Sequence, residues 1–490
     1  MERRRGGGPP VGRVPARHAQ AGVLRNHLRA GSRRPAPPSW RWQHAPVGRD
    51  RRGLPQRNAG AGPTSVVAAR TSGPRPGGLA GGLSRSLPTL LHPGRPARQL
   101  KPGLTETVYD LAIIGAGVMG LFTADFAHRR GASVLLLDEW RLGDPRAASF
   151  SLTRSIRNDY LDPVYARLAF EARKLWLDFQ QETGESFLIE CGCLNLAKAR
   201  ITPDLSATYA EQSYRVLRGL NLKAQAFDRD GLRARFPQFD VDVGRLDIEA
   251  GFLHVPPITA ALLARLNAAD VPVEQHTVVN RISRRQNRIA IDTAAGERLA
   301  DRIVLTAGLG TNGLLAKIDD CDLRLPLRPD RPSESKYLIP PPAKRAMFTP
   351  SRLPVFAYLD VGIYGHPWLE GKTPGVKIGY YNPPDVRTQV TSITSVRSFV
   401  EECMPELMDA RVVDVEGADQ CSYDLVADDN FILGAIPGLP GGSVGTGWRG
   451  TGYKFAPLIG RTLMELALEQ RTIEDISRFA PERFEVSRAG

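Results

Sequence analysis

Apolar and polar positions alternate along this chain in two periods, and their order predicts its elements. Residues 109–140 read as an apolar strand (Tyr-Asp-Leu-Ala-Ile-Ile), a glycine turn, a helical stretch and a second apolar strand closed by Asp138. The polar stretch Arg146–Arg157 has no clean strand period and predicts a loop running into a helix. Residues 163–183 carry 3.6-type spacing and predict a helix. A helix over 258–269, a strand starting at Val271–Val273, short β-branched runs at 278–282 and 288–293, and a buried strand 302–308 ending on glycine follow. From 322 to about 412, prolines and turn residues separate strands such as 376–381, a pattern of antiparallel sheet. The last stretch, 428–487, returns to α/β, with a glycine-rich turn at 445–452 and a helix from Pro457 to Glu469. No internal repeat is present. The most economical architecture is a mixed α/β fold, with a nucleotide domain built from separated segments and an antiparallel domain inserted into it.

Charge changes the picture only at one end. The total is +13, but residues 1–103 hold 19 Arg and one Lys against Glu2 and Asp50, so the remainder carries −5. The extension 1–106 is rich in Arg, Pro, Gly and Ala, cannot bury enough surface to offset its ordering entropy, and is expected to be disordered. Three readings fit it: an organelle leader, a nucleic-acid-binding arm, or translation from an over-extended start. Composition favours the third, although the first internal methionine, Met119, lies inside the glycine turn. The mildly acidic body argues against nucleic acid as its partner. No apolar run is long enough to cross a bilayer as a helix, so no membrane-spanning helix is expected. Five cysteines (191, 193, 321, 403, 421) at irregular spacing form neither a disulfide framework nor a metal site, which fits a reducing cytoplasm.

Candidate chemistry begins at Gly115-Ala-Gly117-Val-Met119-Gly120. Gly115 allows a tight turn, Gly117 lets backbone approach a pyrophosphate, and Gly120 lets the helix pack on the strand. The helix N-terminus favours phosphate, and Asp138, at the end of the second strand, suits a ribose diol. Thr153-Arg154-Ser-Ile-Arg157 presents two planar guanidinium forks, which pair bidentately with carboxylates. Tyr364-Gly-His-Pro367 precedes Gly375-Val-Lys377-Ile-Gly-Tyr-Tyr381. A lysine amid that apolar strand either points into a site or guards a sheet edge. Cys421-Ser-Tyr423 and Gly447-Trp-Arg-Gly450-Thr451-Gly452-Tyr-Lys454-Phe455 complete the series.

With these five motifs in this order, the chain resembles the D-amino-acid-oxidase superfamily of flavoproteins. Within it, the similarity is to the monomeric sarcosine oxidase and N-methyltryptophan oxidase group, over about 108–485. The resemblance implies a Rossmann-like FAD-binding domain from 107–188, 246–320 and 416–487, and a substrate domain from 189–245 and 321–415. It implies FAD bound by Gly115, Gly117, Met119, Gly120, Asp138, Thr153, Arg154, Val278, Gly308, Gly447, Gly450, Thr451, Gly452 and Lys454, with a covalent link through Cys421. It places a substrate carboxylate between Arg157 and Lys454, the oxygen-activating charge on Lys377, and amine-orienting hydroxyls on Tyr364 and Tyr381. A monomer acting on an amino acid and O₂ is implied. The implied reaction is oxidation of a secondary-amine amino acid to an imine with release of H₂O₂. The alternatives are a flavin dehydrogenase or a desaturase using another electron acceptor.

The chain departs from the group's pattern. Tyr381 and Thr451 stand where the group has histidines, and Arg449 stands where it has serine. Trp448 and the run Ala147–Leu152 also differ. These changes around the amine predict a substrate larger than sarcosine, aromatic or cyclic.

Overall fold

The computed structural model describes residues 107–330, 334–381, 392–415 and 422–484. The expectation for 1–106 and the proposed flavin-carrying Cys421 lie outside the described residues.

Two short strands of apolar side chains, Leu111–Ile114 and Val134–Leu137, are buried on both faces and pair in parallel. Such runs suit the middle of a sheet covered by helices. The full sheet has six strands in the order Val273–Glu274, Val134–Leu137, Leu111–Ile114, Ile303–Leu305, Gly442–Thr446, Ile432–Ala435. Only the last is antiparallel. The helix Val118–Arg129 leaves the first strand through the glycine turn and packs against the helix Ala456–Met464. Their axes approach closely because Gly460 has no side chain: a Cβ there would lie 2.4 Å from that of Phe122. The predicted helix Pro163–Thr183 is present, capped by Asp162 and closed by Gly184 in the left-handed region. Its Trp176 meets Phe122 edge to face at 5.1 Å, joining it to the same core.

A second sheet of eight strands takes residues from 193–247 and from 334–413. The two groups meet where Val355–Tyr358 pairs in parallel with Cys193–Ala197; every other pairing in this sheet is antiparallel. A four-stranded sheet, Val108–Tyr109 with 279–300, flanks the first sheet.

One expectation fails. The stretch ending at Arg157 does not enter a helix: Thr153–Ile156 is a strand, antiparallel to Gly251–His254. Only its end positions are buried, so alternation is hidden, and its partner lies far downstream in the sequence. The predicted C-terminal helix is regular over Ala456–Met464 and then widens into a π turn, Glu465–Glu469, which Gln470 ends at φ 54°. Among the described residues, no helix is long and apolar enough to cross a membrane.

Candidate active site

Two adjoining cavities gather most of the predicted residues. The larger, about 1250 Å³, runs from the glycine turn and Asp138 past Gly308 to Trp448 and Gly452. The smaller, about 240 Å³, is bounded by the Thr153–Ile156 strand, the Tyr364 and Lys377 strands, and the Gly450–Lys454 segment. Arg154, Tyr423, Gly450 and Tyr453 line both, so the cavities share a wall.

The larger cavity fits a dinucleotide. Gly115 has φ 110°, and a Cβ there would sit 2.7 Å from the Thr306 carbonyl. Gly120 packs so closely that a Cβ would lie 2.0 Å from the Gly115 carbonyl oxygen. Gly117, Met119 and Val278 line the cavity, and the space over Gly308 is open to 4 Å. Asp138 also lines it, and its carboxylate accepts the amides of Ala116 (2.6 Å) and Trp140 (2.8 Å). It therefore fastens the glycine turn as well as lining the cavity. Ser149 was not foreseen; its hydroxyl accepts the Val118 amide at 3.0 Å, beside the helix start.

Two predicted cofactor residues do not reach the cavities. Gly120 acts through packing alone. Gly447 has φ 75°, and a Cβ there would meet Val426 at 2.6 Å. Its amide donates to buried Asp424 at 2.8 Å, which also accepts the Arg449 amide at 3.2 Å. Asp424 thus shapes the whole turn that carries Gly450, Thr451 and Gly452.

The smaller cavity is basic. Arg154, Arg157, Lys377, Arg449 and Lys454 line it, and among the described residues no Asp or Glu does. Arg154 donates to the carbonyls of Ala148 and Phe150, at 2.7 and 3.0 Å. Arg157 commits one nitrogen, Nη1, to three acceptors: the Asp159 carboxylate, its carbonyl at 3.0 Å and the Tyr209 hydroxyl at 3.3 Å. Its Nε and Nη2 make no hydrogen bond among the described residues, which leaves one edge of the fork for a ligand. Burial opposes the charge on Arg157, but Asp159 and the two tyrosines outweigh it and hold the guanidinium protonated.

Lys454 is buried and donates to the Thr451 hydroxyl (2.8 Å) and carbonyl (3.1 Å). The same hydroxyl meets Tyr160 Oη at 2.5 Å. Burial, and then the charge of Arg157, push the Lys454 amine well below the ordinary lysine range. Arg157 and Lys454 both lie over the Tyr160 ring, at 4.9 and 5.7 Å. Trp176 fixes this segment by donating its indole N–H to the Lys454 carbonyl at 2.8 Å.

Lys377 is 2 % exposed and lies 5.9 Å from the centroid of Tyr364. The sheet-edge reading fails, because its strand pairs on both sides. Tyr364 lies across Gly379 of that strand, where a Cβ would come within 2.2 Å of the ring. Tyr381 lines the cavity and meets Tyr423 edge to face at 5.2 Å. Thr153 does not face the larger cavity; its hydroxyl bonds His366 Nδ1 at 2.7 Å, and Ser155 bonds Nε2 at 2.7 Å. His366 stands opposite Lys377 in the sheet register, so it links the strand carrying Arg154 to the strand carrying Lys377.

Comparison with known proteins agrees with this geometry. Residues 110–466 match the profile of the FAD dependent oxidoreductase (DAO) family, and the chain belongs to that family. It is 26% identical over 396 residues to the peroxisomal sarcosine oxidase of Homo sapiens, covering 77% of this chain and 97% of that protein. It is 26% identical over 393 residues to the N-methyl-L-tryptophan oxidase of Salmonella dublin, covering 77% and 99%. Among solved structures, L-proline dehydrogenase from P. horikoshii superimposes with a TM-score of 0.65 at 18% identity, covering 78% of this chain and 98% of that one.

Proposed function

We propose that this protein oxidises an N-methyl or cyclic amino acid at its C–N bond, giving an imine and H₂O₂. The observation that carries this reading is the small cavity lined by five basic side chains and, among the described residues, no carboxylate, sharing a wall with the cavity that fits FAD. Bound FAD supplies the acceptor for two electrons. The substrate carboxylate pairs with the open edge of Arg157 and with Lys454, the two basic groups that share the Tyr160 ring. Tyr364 and Tyr381 orient the amine, and the surrounding positive charge disfavours its ammonium form. Lys377, buried beside Tyr364, presents a fixed cation to O₂ as negative charge develops there. The imine then hydrolyses in water or rearranges.

The place of Thr451 and Tyr381, where the related group has histidines, supports a bulkier substrate than sarcosine. A covalent link through Cys421 is part of the proposal, and it is supported by its neighbours Ser422 and Tyr423, which line the larger cavity. One experiment tests both points. The purified yellow protein is acid-precipitated, then screened with N-methyl and cyclic amino acids for flavin bleaching and H₂O₂. Colour is expected to stay in the pellet, and its loss to the supernatant refutes the link. Bleaching without H₂O₂ in air refutes the oxidase and makes the protein a dehydrogenase.

A further inference from the structure

An amino acid arrives as a zwitterion, yet among the described residues no carboxylate lines the cavity to hold an ammonium group. The proton must leave before the C–N bond can be oxidised, and the proposed function names no group to receive it. Resting on that reading, we propose that Lys454 is the base that takes the ammonium proton of the incoming substrate.

The geometry sets Lys454 apart from the other cations of the site. Arginines stay protonated in proteins and cannot accept. Lys454 is buried, has no carboxylate partner among the described residues, and gives two of its hydrogens to Thr451. In the neutral amine those two bonds use both N–H groups and leave the lone pair. The Thr451 hydroxyl continues to Tyr160 Oη, so Nζ ends a short chain of hydroxyls. That chain depends on Thr451, one of this sequence's departures.

Charged and titratable groups on the neighbouring elements bear on Nζ. The Thr153–Ile156 strand and the segment after it bring Arg154, Arg157 and Asp159, and the strand Cys193–Ala197 brings Cys193. Burial and then Arg157 favour the neutral amine in the empty site, with Asp159 opposing them. A bound carboxylate reverses the balance, because its negative charge beside Nζ favours the ammonium form. The substrate ammonium meanwhile enters a cavity lined by Arg154 and Lys377, and by Arg449, whose guanidinium is paired with Asp429. The transfer breaks an N–H bond on the substrate and makes one on Nζ. The electron pair stays on the substrate nitrogen, no oxidant is consumed, and net charge is unchanged. The product is a neutral amine, with its carboxylate held between Arg157 and protonated Lys454.

The test counts protons on the flavin-loaded enzyme. Pyrrole-2-carboxylate has no basic amine, so its binding must draw the proton from solvent. Calorimetry at pH 8 in buffers of different ionisation enthalpy is expected to show uptake of about one proton per site. Lys454→Arg keeps a cation for the carboxylate but cannot accept, so uptake is expected to vanish. In that variant, flavin bleaching by the active amino acid should be slow at pH 7. It should then rise about tenfold per pH unit toward the amine's own titration. Binding without proton uptake by the unaltered protein overturns the proposal and leaves the proposed function standing; so does an unchanged pH profile in Lys454→Arg. Failure of pyrrole-2-carboxylate to bind overturns both.

Discussion

Tyr364 and Gly379 face each other across two strands, and this pair offers a sharp test of the site geometry. A Cβ at residue 379 would lie 2.2 Å from the Tyr364 ring, whereas ordinary contact begins near 3.4 Å. Gly379→Ala must therefore drive the ring more than about 1 Å away from its own strand, a misfit that overpacking data put at about 1–3 kcal/mol. In a Tyr364→Ala background the clash is gone, and replacing glycine by alanine in a strand should gain up to about 1 kcal/mol. The expected coupling energy is thus about 1–3 kcal/mol, against an additivity error of about 0.5 kcal/mol for independent sites. Urea unfolding of the four proteins at one fixed FAD concentration measures it. The displaced ring also moves relative to Lys377, so Gly379→Ala should slow flavin bleaching in stopped flow. Equal penalties for Gly379→Ala in both backgrounds would refute the placement of the ring.

Three further outcomes are expected. Lys377→Met should leave bleaching by substrate within a few-fold of normal but slow reoxidation by O₂ by about 10²–10³, read in double-mixing stopped flow; equal reoxidation rates remove Lys377 from that role. Trp176→Phe strips the Lys454 carbonyl of its donor inside the core, so unfolding free energy should fall by about 1–3 kcal/mol, and KM should rise because the lysine segment loses its anchor. The Asp247 carboxyl is lifted to about 7 by burial and then by the charge of Asp159. The native state therefore holds a proton that the unfolded chain releases, and stability falls as pH rises from the ordinary carboxylate range toward 7. Asp247→Asn should flatten that slope in urea midpoints taken from pH 5 to 8; an unchanged slope refutes the assignment.

Parts of the site that rest on backbone demands were legible in the sequence. Gly115 and Gly120 must be glycine because a carbonyl occupies the space of a Cβ, and such positions announce themselves by spacing. Gly447 was equally visible, but its reason was not: Asp424 and Val426 hold it, and neither stood out. The strand Thr153–Ile156 escaped because partner and pattern were both out of view. Asp159, Tyr160 and Tyr209 were missed for another reason. Each is ordinary alone, and they gather round Arg157 only through tertiary structure. The one local hint was the polar run Asn158-Asp159 directly after Arg157, both residues almost fully buried. His366 lay inside a quoted motif, yet its two hydroxyl partners, Thr153 and Ser155, sit far upstream in a different motif.

The parallel junction in the eight-stranded sheet also sets a timetable. Cys193–Ala197, buried at every position, leaves the ribosome long before Val355–Tyr358, the strand that covers its open edge. At roughly 5–20 residues per second, that edge waits about 10–30 s for its neighbour. A nascent chain of this protein therefore exposes a sticky apolar strand throughout the synthesis of its middle third, and its yield on expression should depend on how fast it is translated and on how well chaperones shield that strand.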